Sequence, residues 1–326
     1  MTVRRRDSRV VVIGGGTGTS VVGKGLRGRV ERVSCVVSMF DNGGSTGILR
    51  DELGVAALGD LRQCLASLSP EPIHAELMQF RFKAGTLAGH SFGNLLLAAL
   101  VQVTGDVTAA VQAAAGLLAI GDEVLPVTTD DAHLTAVLSG GGRIVGEIAI
   151  WERALPAGQF DLLLEPVPAL NPSVARAVHE ADLVVLAPGS LYTSLVPNLL
   201  VPGLAGALRA TTAPKVMVVN LLNKKGHTDG FSASDHLGEV ERFAGAGTID
   251  HLLVNEATVP PQVLQRHGHA GDQVTIEAFG QNSPPRIIAG DFLDRNLTVI
   301  EDGLVQRTAI RHDPHSVAEA VLSLLA

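Results

Sequence analysis

The chain has 326 residues, 46% of them hydrophobic, enough for a sizeable core. It carries 25 basic against 33 acidic residues, a net charge of −8, which argues against a protein that grips nucleic acid through its phosphates. Its 36 glycines follow no G-X-Y period, and at this apolar content neither collagen nor disorder fits. Cys35 and Cys64 are the only cysteines and have no CxxC spacing, so a disulfide framework and a structural zinc site are not expected, and a cytoplasmic setting is.

In chain order, the basic start "MTVRRRDSR" lacks an apolar stretch of signal-peptide length. Val10 to Ile13 reads as a strand buried on both faces, and its glycine turn leads into a short helix over Thr19 to Leu26. Arg32 to Phe40 reads as a second strand, parallel to the first through a right-handed crossover. Ser38 to Gly54, "SMFDNGGSTGILRDELG", reads as a long loop. Helices are predicted at Gly59 to Ser69, Ile73 to Phe82 and His90 to Gly105, then along "VTAAVQAAAGLLAI". From about 124 to 167 the pattern turns strand-like, with "SGGGR" as a hairpin signal, and is read as a β-rich insertion.

The helix–strand rhythm then returns in "PSVARAVHEADLVVLAPGSLYTSLVPNLL", "PKVMVVNLLN" and "IDHLLVNEA", and the chain closes with an amphipathic helix, "HSVAEAVLSLLA". Leu183 to Leu208 is free of charge, but Pro188, Gly189, Pro197, Pro202 and Gly203 break it, so no membrane span is expected there. The whole of 1–326 is read as one α/β domain, a doubly wound and mainly parallel sheet with the β-rich insertion at about 124–167.

In such a sheet ligands bind beyond the carboxyl ends of the strands, and polar, glycine-rich loops follow these strands repeatedly. Gly14 to Ser20 could cradle an anion on backbone amides, through Gly15, Gly16, Thr17, Gly18 and Thr19. Its spacing is neither a dinucleotide fingerprint nor a Walker loop. A tight turn without ligand is the plain alternative. After the second strand, Asp41 sits where a dinucleotide fold places its ribose-binding acid, with Asn42, Gly44, Ser45 and Arg50 nearby.

Asp60 opens a helix, where capping alone would explain it. His90 and Asn94 open another beside Ser91, and no G-x-S-x-G elbow accompanies them. Gly189, Ser190 and Thr193 form a second strand–glycine–helix turn around Tyr192, the only tyrosine. Asn220 and Asp229 fall in the long polar loop "NLLNKKGHTDGFSASDH".

Together "GGGTG", "DNGGSTGILRDELG", "GDLRQCL", "GHSFGNLLLAAL", "APGSLYTSLVPNLLVPG", "TDGFSASDH" and "IRHD" resemble the YvcK-type gluconeogenesis factors, within the superfamily of CofD-like 2-phospho-L-lactate transferases. The resemblance runs in order from residue 10 to about 313. It implies a Rossmann-like cytosolic protein that binds UDP-sugars, notably UDP-N-acetylglucosamine, and supports cell-wall synthesis and cell shape on gluconeogenic carbon sources. It also implies that Arg311, in "IRHD", contacts the UDP-sugar. The transferase branch moves a phospholactyl group to a deazaflavin in coenzyme F420 synthesis and has two adjacent acids before the glycines. Here the second is Asn42, and one carboxylate fewer weakens a Mg2+ site. Some members carry a phosphorylatable threonine after "RHD", where this chain has Pro314.

The reading reached is a UDP-sugar-binding regulatory protein with no obligate cofactor and no assigned catalytic or metal-binding residue. A phospholactyl transferase is the first alternative and an NAD-binding oxidoreductase the second. A homodimer is expected only because homo-oligomers are common, and no regulated protein partner follows from the residues.

Overall fold

The computed structural model describes residues 5–264, 270–276, 285–296, 301–302, 305–306 and 310–325. Its strands in chain order are β1 (Arg9–Gly14), β2 (Arg32–Val37), β3 (Glu123–Pro126), β4 (His133–Leu138), β5 (Arg143–Val145), β6 (Phe160–Glu165), β7 (Leu183–Leu186), β8 (Lys215–Val218), β9 (Leu222–Lys224), β10 (His251–Asn255), β11 (Ala270–Gln273), β12 (Arg286–Gly290) and the short pair β13 (Glu301–Asp302) and β14 (Val305–Gln306). Val10 to Ile13 are fully buried in β1, as are all four residues of β7. Continuous apolar strands of this kind belong at the centre of a sheet covered on both faces.

Seven strands form one parallel sheet in the order β12-β10-β8-β7-β1-β2-β3. The chain works outwards from β1 to β3, then returns to lay β7 against the other side of β1 and works outwards again. This is the doubly wound, Rossmann-like α/β arrangement expected from the sequence. The order reverses between β1 and β7, and there the loops after the two strands part to opposite faces and leave a crevice.

The segment after β2 differs from expectation. Residues 44–53 are not loop but helix, Gly44–Leu53, closed by Gly54 at φ 64°. The run "DNGG" reads as a turn and conceals the helix start, because its N-cap is Gly43 and no side chain caps it. β3 joins the edge of the main sheet through β2, so the separate antiparallel sheet, β5-β4-β6, begins at His133 rather than at 124. Tyr192 binds this small sheet to the core: its buried ring packs edge-on to Phe160 of β6 at 4.9 Å, and its hydroxyl donates to Glu239 at 3.0 Å. The lone tyrosine is thus a packing residue.

Among the described residues no single helix is long and apolar enough to cross a membrane. The apolar run after β7 divides into a π-helical turn, Leu191–Leu195, and two short helices, and Leu191–Leu199 is bent 72° from Leu204–Ala210.

Candidate functional site

A cleft of about 380 Å³ lies at the switch point. Gly15 to Gly18 line it after β1, and Pro188, Gly189, Ser190 and Ser194 line it after β7. Asn220 to Lys224 come from the stretch that follows β8 and includes β9. Arg311 and His312 reach it from beyond β12, and Trp151 from the end of the short helix Glu147–Trp151.

The helix Gly16–Leu26 has Gly15 as N-cap, with no side-chain cap and no acid in its first turn. Its leading amides therefore suit an anion in the cleft. Two of the glycines answer close packing as well. A Cβ on Gly16 would strike the Asp60 carboxylate, and one on Gly18 would run into the Pro188 carbonyl. The turn after β1 is thereby pressed directly onto the turn after β7.

Asn220 holds the second turn. Its Oδ1 accepts from Gly189 N–H at 2.9 Å, and its Nδ2 donates to Gly189 C=O at 2.8 Å. One side chain thus secures both faces of a glycine with φ 157°. Asn220→Ala removes both bonds and should cost about 1–3 kcal/mol, read by denaturant unfolding. A loss within error of zero would show that the clamp is redundant.

The other wall is equally tied down. Asn223 Nδ2 donates to Phe231 C=O at 2.9 Å, which leaves Oδ1 to accept from His236 Nε2 at 3.0 Å. Burial lowers the His236 pKa to about 4, so the ring is neutral and the hydrogen lies on Nε2. His312, buried beside Arg311, likewise has its pKa lowered to about 4 by burial and donates Nε2–H to Val219 C=O at 3.1 Å. This anchors the Arg311 backbone to the end of β8.

Several residues singled out from the sequence are not brought to the cleft. Thr19 is fully buried beneath Gly14. Arg50 pairs with Asp131 and donates to Ala132 C=O at 3.0 Å, so its guanidinium serves the fold rather than a phosphate. Asn42 Oδ1 accepts from Ile148 N–H at 3.0 Å and starts the Glu147–Trp151 helix. Asp229 accepts from Gly226 N–H at 2.6 Å and shapes its own loop. Thr193 is buried and donates to Ser190 Oγ at 2.8 Å.

Gly44 only opens the Gly44–Leu53 helix. Ser45, His90 and Asn94 form their own cluster: Ser45 Oγ lies 3.1 Å from His90 Nδ1 and accepts from Asn94 Nδ2 at 3.3 Å. Asp41 turns inward, accepting from Gly43 N–H at 2.8 Å.

Glu147 carries no signal in the sequence, because it lies in the antiparallel segment, shortly after the "SGGGR" hairpin and away from the loops that follow the parallel strands. Its pKa is raised to about 8, first by burial and then by the charges of Asp41 and Asp60, while a hydrogen bond with Thr193 and the charge of Lys224 oppose the rise. Asp41, Asp60 and Glu147 thus form one electrostatically linked group, of which Asp60 lines the cleft. A divalent ion does not fit it well. The second acid of the transferase pattern is Asn42, which is engaged with Ile148. Among the described residues, no group of three or more His, Cys, Asp and Glu side chains is placed to hold a metal.

Residues 10–289 match the family of the 2-phospho-L-lactate transferase CofD. The chain is 37% identical to a gluconeogenesis factor of Listeria monocytogenes, the match covering 97% of this chain and 95% of that one. It is 35% identical to a gluconeogenesis factor of Bacillus subtilis, covering 97% and 98%. A crystal structure of a UPF0052 family member from Bacillus halodurans superposes with a TM-score of 0.86 at 34% identity, covering 97% of this chain and 99% of that one. Agreement of sequence and fold over nearly the full length places the chain in the CofD family, on the branch of the gluconeogenesis factors.

Proposed function

We propose that the protein binds a UDP-sugar, UDP-N-acetylglucosamine foremost, in the switch-point cleft, and that it acts in the cytosol as a regulatory gluconeogenesis factor supporting cell-wall synthesis and cell shape. One observation carries the reading: two glycine turns from the ends of β1 and β7 meet at a single cleft that Arg311 also lines. A diphosphate needs several backbone amides and a cation within one small volume, and this cleft offers both. The inward-facing hydrogen bonds of Asn220, Asn223 and His312 support a pre-formed site, which lowers the ordering cost of binding.

The test is a thermal-shift and calorimetry panel with UDP-N-acetylglucosamine, UDP-glucose, NAD, GDP and a deazaflavin, each with and without magnesium. Ligand at about a hundred times its Kd should stabilise the fold by about 2.7 kcal/mol. No shift and no heat with either UDP-sugar would end this reading. The transferase alternative draws on the match of residues 10–289 to the family of the 2-phospho-L-lactate transferase CofD. Product from a phospholactyl nucleotide donor and a deazaflavin would decide for it.

A further inference from the structure

The connection from β2 to β3 holds five helices, where a parallel crossover needs only one. The third of them, Pro72–Gln79, buries Met78 alone among its eight residues. Ile73 and Leu77, with Phe80 at the C-cap, lie at i, i+4 and i+7 and so share one face, and all three are exposed. The Phe80 ring stands edge-on to Phe82 at 5.2 Å. Phe92 N–H donates to Phe80 C=O at 2.8 Å, and Phe82 N–H donates to His90 C=O at 3.0 Å. These bonds tie the face to the start of the next helix, Phe92–Thr104. There Phe92, Leu96, Ala99 and Val103 make a second outward stripe at helical spacing, half-buried at its start and 84% exposed at Val103.

A helix that faces water normally turns charged side chains outward. From Ala84 to Gly105 the chain has no Asp, Glu, Lys or Arg, although Ala84 to Ala88 and the end of the helix are exposed. Such depletion of charge marks the core of a protein interface. Ile48 adjoins the patch one turn on from Ser45, which meets His90. Ile48, Ile73, Leu77, Phe80, Leu87 and Val103 leave on the order of 600 Å² of apolar surface open. That is the upper end of what a monomer exposes in one patch, and most of the roughly 800 Å² that a stable dimer buries on each partner. The charges beside it are of both signs: Glu76 stands within the first stripe and Lys83 follows Phe82, both exposed. A patch with one acid and one base can pair with itself. An anionic lipid surface calls instead for clustered cations, which Glu76 and the net charge of −8 oppose.

We infer that the outward stripes of Pro72–Gln79 and Phe92–Thr104 dock a second copy of this chain about a two-fold axis, with Glu76 of each copy facing the partner's Lys83. The apolar stripes supply the affinity and the paired charges fix the register. The interface does not depend on which ligand occupies the cleft. It gives the extra helices of the crossover a role that the core does not ask of them.

The test is sedimentation velocity of the full chain from nanomolar to high micromolar concentration. The wild-type protein should sediment at twice the 33.9 kDa of one chain. Leu77→Glu, at an exposed position, should weaken the dimer roughly a hundredfold or more with circular dichroism unchanged. Glu76→Lys and Lys83→Glu should each weaken it about tenfold, because a two-fold axis repeats each repulsion. An equimolar mixture of those two variants restores both pairings and should recover the wild-type affinity. A wild-type monomer at every concentration, a dimer untouched by Leu77→Glu, or a mixture no tighter than either variant alone would each overturn the proposal. So would flotation of a monomeric wild-type protein, but not of Leu77→Glu, with phosphatidylglycerol vesicles, which would give the face to lipid. If Leu77→Glu does not fold, the two charge variants and their mixture decide.

Discussion

Replacing Glu147 by glutamine should stabilise the protein at about pH 8 and leave it nearly unchanged at about pH 5. Glu147 has its pKa raised to about 8 by burial and by Asp41 and Asp60. In the unfolded chain it titrates near 4.5, so between these values the folded state holds a proton that the unfolded state has lost. Stability then falls as pH rises through that window, by on the order of 3 kcal/mol at neutral pH. Glutamine keeps the shape and removes the ionisation.

The buried histidines act with the opposite sign. His236 and His312 have pKa values lowered to about 4 by burial, so their contribution is complete above about pH 6.5 and is lost as pH falls towards 4. The wild-type protein should therefore be most stable near pH 6.5, where the rise in stability from the two histidines gives way to the fall from Glu147. Denaturant unfolding of both proteins across this range is the measurement. Parallel curves for wild type and Glu147→Gln would refute the assignment.

Gly18→Ala should be the most damaging single change in the first glycine turn. The added Cβ would meet the Pro188 carbonyl, which is backbone and cannot rotate away. Either the helix Gly16–Leu26 or the turn after β7 must retreat. Overpacking of this kind costs about 3 kcal/mol or more, a fall in Tm of roughly 5 °C or more. It should weaken any diphosphate ligand as well, because the two turns can no longer close on one volume.

Gly238→Ala is the matched control. Gly238 is an exposed position in the helix Ala233–Ala244, with nothing near its absent side chain. That change should raise stability by up to about 1 kcal/mol. Equal effects of the two substitutions would show that the contact between Gly18 and Pro188 does not hold the turns together.

Gly18 also shows how far the residues alone could be read. Four glycines follow a β-branched strand, and both an anion cradle and a tight turn without ligand account for them. The structure accounts for part of the run by close approach to Asp60 and Pro188. A glycine needed for a ligand and one needed for a neighbouring backbone look the same in a sequence.

The strands were legible from their continuous apolar runs, because a buried parallel strand tolerates little else. The sequence by itself determined the doubly wound class, the place of polar loops after its strands, and the long motifs shared with the gluconeogenesis factors. Which loops share one cleft was decided by tertiary structure, through the strand order that puts β1 beside β7. That order brings Gly15 to Gly18, Gly189, Asn220 and Arg311 together. Arg50 and Asp229, polar residues from the same kinds of loop, are turned to internal partners, and Thr19 is buried.

Trp151 and Glu147 could not have been placed from spacing. The segment that carries them folds as a separate antiparallel sheet with a short helix, tied to the core through Asn42 and Tyr192. Local pattern specifies a strand or a helix, but contacts between residues a hundred or more positions apart depend on packing that no local window contains.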